Sequence, residues 1–120
     1  NLALAAPEAD DEALVDSLRR AGLGEWLDGL ADGLDTRLGA GGRGISGGER
    51  ARLSIARAIA SGRPVILLDE PVAHLDGPTA DAVVRDLLTA STGRTVVMVS
   101  HHPIAFDALD RVIDLPAVTS

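Results

Sequence analysis

The chain has 120 residues, 46% of them hydrophobic and 24% charged, a globular composition for one domain at most. It holds no cysteine, which excludes disulfide frameworks and cysteine-ligated zinc and is compatible with a reducing compartment. The net charge of −7 argues against non-specific binding of nucleic acid or anionic membrane by the whole surface.

Other absences are as informative. All 11 basic side chains are arginine, and there is neither lysine nor glutamine. A lysine phosphate clamp or Schiff base therefore cannot be completed within these residues. Charge interrupts every apolar run before membrane-span length, and no basic stretch with an apolar core opens the chain. The chain begins at Asn1 and its only methionine is Met98, so an excerpt or a processed piece is expected.

In chain order, Asp10 to Ala21 predicts a helix, with Ala13, Leu14, Leu18 and Ala21 on one stripe and acids in the first turn. Gly22 ends it, and a short helix from about Glu25 to Leu30 follows. Gly33 to Gly44 is a glycine-rich loop, and Gly47 to Ala60 is a helix stopped by Gly62 and Pro64. Val65 to Leu68 is a continuous apolar run ending in Asp69-Glu70-Pro71, the pattern of a strand buried on both faces of a parallel sheet. A helix from Pro78 to Ala90 leads to a second such strand, Thr95 to Val99, which ends at Ser100-His101-His102. A short helical segment follows Pro103, and Val112 to Leu115 predicts an edge strand. Strand, helix and strand at this spacing form a crossover unit of an α/β domain. Ligand chemistry in such sheets gathers at the carboxyl ends of the strands, so Asp69, Glu70 and His101 are expected to face one crevice.

Charge is unevenly spread. Nine acids oppose three arginines from Asn1 to Gly42, five arginines oppose Glu49 alone from Arg43 to Arg63, and eight acids oppose three arginines beyond. The basic island begins beside the glycine-rich loop, as an anion site would, although a solvated helix face has the same signature. Within it, Ser46-Gly47-Gly48 opens a helix, where bare backbone N–H groups and the helix dipole favour an anion. Ser46 suits the N-cap or a phosphate oxygen, and a capped loop explains the same residues. Asp69 then Glu70 at a strand end suit a hydrated cation and a water-activating base, or simply an acidic turn. His101, closing a buried strand, suits donation to a phosphate from a neutral ring. His102 reads as surface, and His74 as a solvated loop residue.

Order and spacing join these fragments. Ile45-Ser46-Gly47-Gly48-Glu49, then Val65 to Pro71, then Leu75-Asp76, then His101 resemble the C-terminal half of an ABC-type ATPase domain. They are similar to its signature motif, Walker B strand, D-loop and switch histidine, and the resemblance spans essentially the whole chain. It implies an α/β fold, a partial P-loop NTPase of the ABC type. Residues 1–63 would form the helical subdomain and signature helix, and 64–120 the C-terminal part of the ATPase core. The Walker A half, the Q-loop glutamine and the adenine-stacking aromatic are not among these residues. An unpartnered sheet would then expose the apolar faces of Val65 to Leu68 and Val96 to Val99, and poor solubility or self-association is expected.

The resemblance also implies roles. Glu70 and His101 would be catalytic, Asp69 would hold Mg2+, and Ser46, Gly47, Gly48, Glu49 and Asp76 would serve ATP. Two nucleotide-binding domains, alike or different, would pack head to tail, with Ser46, Gly47 and Gly48 reaching the partner's ATP. Asp69, Glu70 and His101 would serve the other site, and Asp76 would link the two. The whole protein would hydrolyse ATP at the cytoplasmic face of the membrane, bound to transmembrane domains and to no nucleic acid; the isolated chain would be inactive. The run from Gly33 to Gly48 is exporter-like, although Ala40 stands where exporters often carry an acid. Glu70 to Asp76, with His74 inside, is similar to the D-loop of CydC-type exporters of cysteine or glutathione thiols. Two alternatives stand beside this: the C-terminal lobe of a chromosome-maintenance or recombination-repair ATPase, and a catalytically inactive regulatory binding module. Short helices broken by Gly22, Gly29 and Gly33, rather than a heptad coiled coil, favour the transporter over the former.

Overall fold

The computed structural model describes residues 2, 6–38 and 44–118. Helix α1 spans Asp11–Arg20, its first turn held by the Asp10 carboxylate, which accepts from Ala13 N at 2.8 Å. Asp11 and Glu12 at its start and Arg19 and Arg20 at its end suit the helix dipole. Gly22, at φ +82°, makes the turn that an L side chain resists. Helix α2, Gly24–Asp28, is clamped back on α1 by two bonds from Arg19 to Asp28, at 2.8 and 3.3 Å. The pair raises the Arg19 pKa and lowers that of Asp28. A 3-10 turn, Gly33–Asp35, opens the glycine-rich loop. Residues 39–43 of that loop, Ala40 and Arg43 among them, lie outside the described residues.

Helix α3 spans Gly47–Ala60, strand β1 Val65–Asp69, helix α4 Gly77–Ala90 and strand β2 Thr95–Val99. The two strands pair in parallel, in register from Val65 opposite Thr95 to Asp69 opposite Val99. α3 brings Ile55, Ala56 and Ile59 to the core, and α4 brings Val83, Val84 and Leu87. These belong to one apolar cluster that runs from Leu18 to Ala105 and draws on both sides of residue 63. Arg52 ties three elements together. Its guanidinium donates to Asp86 of α4 at 2.5 Å and to the Ala21 carbonyl, just past α1, at 3.0 Å. Arg94 caps the end of α3 by donating to the Ile59 carbonyl at 2.9 Å.

Two expectations about the strands change. Burial on both faces is not observed: Ile66 is buried and Leu68, Val96 and Met98 pack against the core, while Val65, Leu67, Val97 and Val99 stand exposed. Alternation along a strand sends successive side chains to opposite faces, and the described helices cover only one. The exposed apolar face expected of an unpartnered sheet is therefore present on that side. The edge strand expected at Val112 to Leu115 is also absent. Residues 110–118 are exposed and irregular, apart from Leu109 just before them, which is half-buried. Among the described residues β1 and β2 pair only with each other, and this segment joins neither of their open edges. The helical segment expected after Pro103 is a 3-10 turn, Phe106–Ala108, fixed by Asp107 on Arg85 at 2.7 Å.

Candidate functional site

The chemistry gathers at two places: the carboxyl ends of the strands and the paired starts of α3 and α4.

At the strand ends, the chain leaves β1 through Glu70, which adopts φ +48°. A non-glycine residue in the left-handed region carries backbone strain of order 1 kcal/mol. Two bonds hold it there: Glu70 N donates to the Val99 carbonyl at 2.8 Å, and the carboxylate accepts from His101 N at 2.9 Å. The same Oε1 meets His101 Nδ1. A carboxylate only accepts, so Nδ1 carries the hydrogen in this contact. Nε2 is then the ring atom left for a ligand, an acceptor when the ring is neutral and a donor when it is protonated. Donation to a phosphate from a neutral ring, as expected from sequence, would require this contact to change.

The crevice expected for three residues joins two of them. Glu70 and His101 touch across the ends of adjacent strands, with the Glu70 side chain 25% exposed and that of His101 82% exposed. His101 therefore does not close a buried strand; it lies in solvent beyond the end of β2. Asp69 is still part of β1 and exposed, and alternation puts it on the face of Val65 and Leu67. The positive φ of Glu70 breaks that alternation and turns its carboxylate toward His101.

At the helix starts, Ser46 is the N-cap of α3. Its hydroxyl accepts from Glu49 N at 3.1 Å, and the Glu49 carboxylate accepts from Ser46 N at 2.9 Å. This reciprocal box satisfies two orphan donors. The cap uses the Ser46 hydroxyl and Glu49 carboxylate, while the exposed Gly47 leaves backbone open to solvent. Asp76 caps α4 in the same way, accepting from Thr79 N at 3.0 Å and from the Thr79 hydroxyl at 2.6 Å. Those bonds, hydroxyl first, hold its carboxyl below the usual range. Between Glu70 and Asp76 the chain turns through His74 at φ +70°. His74 and His102 are both exposed, as expected, and line a cavity of about 490 Å³ with Leu75 and Asp81.

Of the basic island, Arg52 is engaged with Asp86 and the Ala21 carbonyl, so it serves packing rather than an anion. Sequence reading missed the capping role of Glu49, although the Ser-x-x-Glu spacing signals it. It also missed Leu75 and Thr79, which occupy the space that side chains on Gly47 and Gly48 would enter and carry no motif chemistry. No helix among the described residues is long and apolar enough to cross a membrane, and no described cluster of three or more His, Asp or Glu side chains could hold a metal ion.

Residues 9–73, more than half of the chain, match the family model described as ABC transporter. The chain is 42% identical over 113 residues to the Glutathione/L-cysteine transport system ATP-binding/permease protein CydC of Escherichia coli, an alignment covering 94% of this chain and 19% of that protein. It is 41% identical over 117 residues to the Mycobactin import ATP-binding/permease protein IrtB of Mycolicibacterium thermoresistibile, covering 98% of this chain and 20% of that one. Among solved structures, a bacterial Atm1-family ABC exporter with ATP bound superposes with a TM-score of 0.69 at 27% identity, over 84% of this chain and 18% of the other. The chain thus spans about a fifth of the length of the relatives it matches. None of these named proteins is a chromosome-maintenance ATPase.

Proposed function

Since this chain belongs to the ABC transporter family, we propose that it is the signature, Walker B and switch-histidine part of an exporter's ATP-hydrolysing domain. The observation that carries the reading is the meeting of Glu70 and His101, 31 residues apart in sequence, on one carboxylate oxygen at the ends of adjacent parallel strands. Residues 1–63 are read as the helical subdomain with the signature helix, and 64–120 as the C-terminal part of the core.

The residues fit a magnesium nucleotide in kind. Asp69 offers an exposed carboxylate at a strand end, and the start of α3 offers bare N–H groups beside exposed glycine. ATP would be the substrate that gives up its phosphoryl group, and Asp69 would hold Mg2+, which would supply neutralising charge. Glu70 orients and deprotonates the attacking water; its strained backbone aims the carboxylate off the strand axis. His101 steadies that carboxylate through its backbone N–H and its ring Nδ1–H, and Nε2 donates to a phosphate oxygen when the ring is protonated. Ser46, Gly47 and Gly48 present N–H groups and a hydroxyl to the nucleotide of a second domain packed head to tail, with Glu49 holding the loop in shape. Asp76 links the two sites. Transmembrane domains at the cytoplasmic face of the membrane are the second partner. A cysteine or glutathione thiol is the proposed cargo, on the likeness to CydC.

The test is turnover. In the exporter carrying this chain, Glu70→Gln lowers kcat by roughly 10²–10⁴ with ATP still bound, the range for loss of a general base. Turnover within twofold of the parent sinks the reading. Residues 1–120 alone, without lysine, hydrolyse no ATP; sustained turnover by the pure chain would overturn the division of the site.

A further inference from the structure

Two adjacent glycines at a helix start let an anion approach bare N–H groups. Packing supplies a second reason for them here. A Cβ added to Gly47 would lie 3.1 Å from Leu75 Cδ2, and one added to Gly48 would lie 3.3 Å from Thr79 Cγ2. Both are tighter than ordinary van der Waals contact, but the two neighbours differ in freedom. Leu75 is half-buried and lines the cavity of about 490 Å³, so its flexible end has room to turn away. Thr79 is held instead. It is branched at Cβ, its hydroxyl is bonded to Asp76 Oδ1 at 2.6 Å, and its backbone N donates to Oδ2 at 3.0 Å. The hydroxyl bond selects χ1, and that rotamer aims the methyl at Gly48.

We propose that Thr79 is a positioning residue for the Ser46–Gly48 helix start: its methyl sets where Gly48 lies, and its hydroxyl ties that position to the Asp76 turn. The significance for ATP rests on the function proposed above, whereas the packing itself does not. A shift of the Asp76 turn moves Thr79 and with it the N–H groups that open α3. Gly48 and Asp76, separated in sequence by the rest of α3, by β1 and by the turn after it, are thus joined by one side chain with two arms.

Chemical denaturation of residues 1–120 tests the methyl arm. Gly48→Ala lowers the folding equilibrium constant by about fivefold to tenfold, because the added methyl meets a fixed neighbour and outweighs the gain in helix propensity. Thr79→Ser keeps the hydroxyl and removes the methyl, so the Gly48→Ala/Thr79→Ser double variant returns to within about twofold of Thr79→Ser alone. Gly47→Ala stays within about twofold of the parent, because Leu75 yields. Amide NMR signals test the hydroxyl arm: Asp76→Asn shifts Gly48 and Glu49 in the parent and leaves them in place in the Thr79→Ser background. A Gly48→Ala cost that is absent, or equal with and without the Thr79 methyl, overturns the proposal, as does an Asp76→Asn shift identical in both backgrounds. These readouts need no nucleotide, so failure of the ATP reading would show in the Glu70→Gln turnover and leave this cycle untouched.

Discussion

Helices α3 and α4 bury Ile55, Ala56, Ile59, Val83, Val84 and Leu87 in one cluster, whereas β1 and β2 bury a single face and leave Val65, Leu67, Val97 and Val99 in water. The residue types are the same aliphatic set. What differs is the number of layers around them. Each helix needs one apolar stripe covered, and α1, α3, α4 and the sheet cover one another. A parallel strand with apolar side chains on both faces needs a layer on each side, and the described residues supply one. Apolar content thus marks where a partner surface is wanted, and only the fold says whether this chain provides it.

The sharpest way to break that comparison is to truncate one leucine from each region. Leu87 is 0% exposed, in the last turn of α4. Leu87→Ala should cost about 3 kcal/mol, from lost transfer energy and the cavity left behind, read as a lower denaturation midpoint with an unchanged slope. A cost below about 1 kcal/mol would mean that the helical cluster is as loosely held as the open sheet face. A smaller effect is expected at the start of α3. Ser46→Ala removes the acceptor for Glu49 N and should cost about 1 kcal/mol, with amide exchange quickened at Gly47 to Arg50 and unchanged in β1. Uniform quickening across both regions would show that the two unfold as one unit and that the cap is not a local device.

The helical region was the more legible in sequence, for physical reasons. Helical signals are local: Asp10 and Ser46 before apolar stripes, Gly22 and Gly62 after them, and the observed α1 and α3 agree with the expected spans within a residue. Pairing of β1 with β2 followed from the crossover spacing, and with it the nearness of Glu70 to His101. The exposure of His101, the split between Asp69 and Glu70, and the unpaired segment at Val112 to Leu115 were not legible. Each depends on something no local pattern carries: a positive φ at one glutamate, and strands or layers that must lie alongside. Thr79 escaped for another reason. It matters through one methyl and one hydroxyl placed by tertiary contact, which a motif of charged or nucleophilic residues does not register.

The smallest effect is expected on the open face, where it also discriminates most. Leu67 is 73% exposed in the middle of β1, so its side chain is hydrated in the folded chain much as in the unfolded one. Leu67→Thr keeps a β-compatible residue and should change stability by no more than about 0.5 kcal/mol. Its consequence lies elsewhere. Leu67, Val97 and Val99 together form an apolar surface of the kind that drives association, and one hydroxyl at its centre weakens such contact. Light scattering of residues 1–120 should show the parent growing in mean mass with concentration and Leu67→Thr growing less. Should Leu67→Thr instead lose as much stability as Leu87→Ala, the face is covered within the folded chain, and the contrast between the two regions collapses.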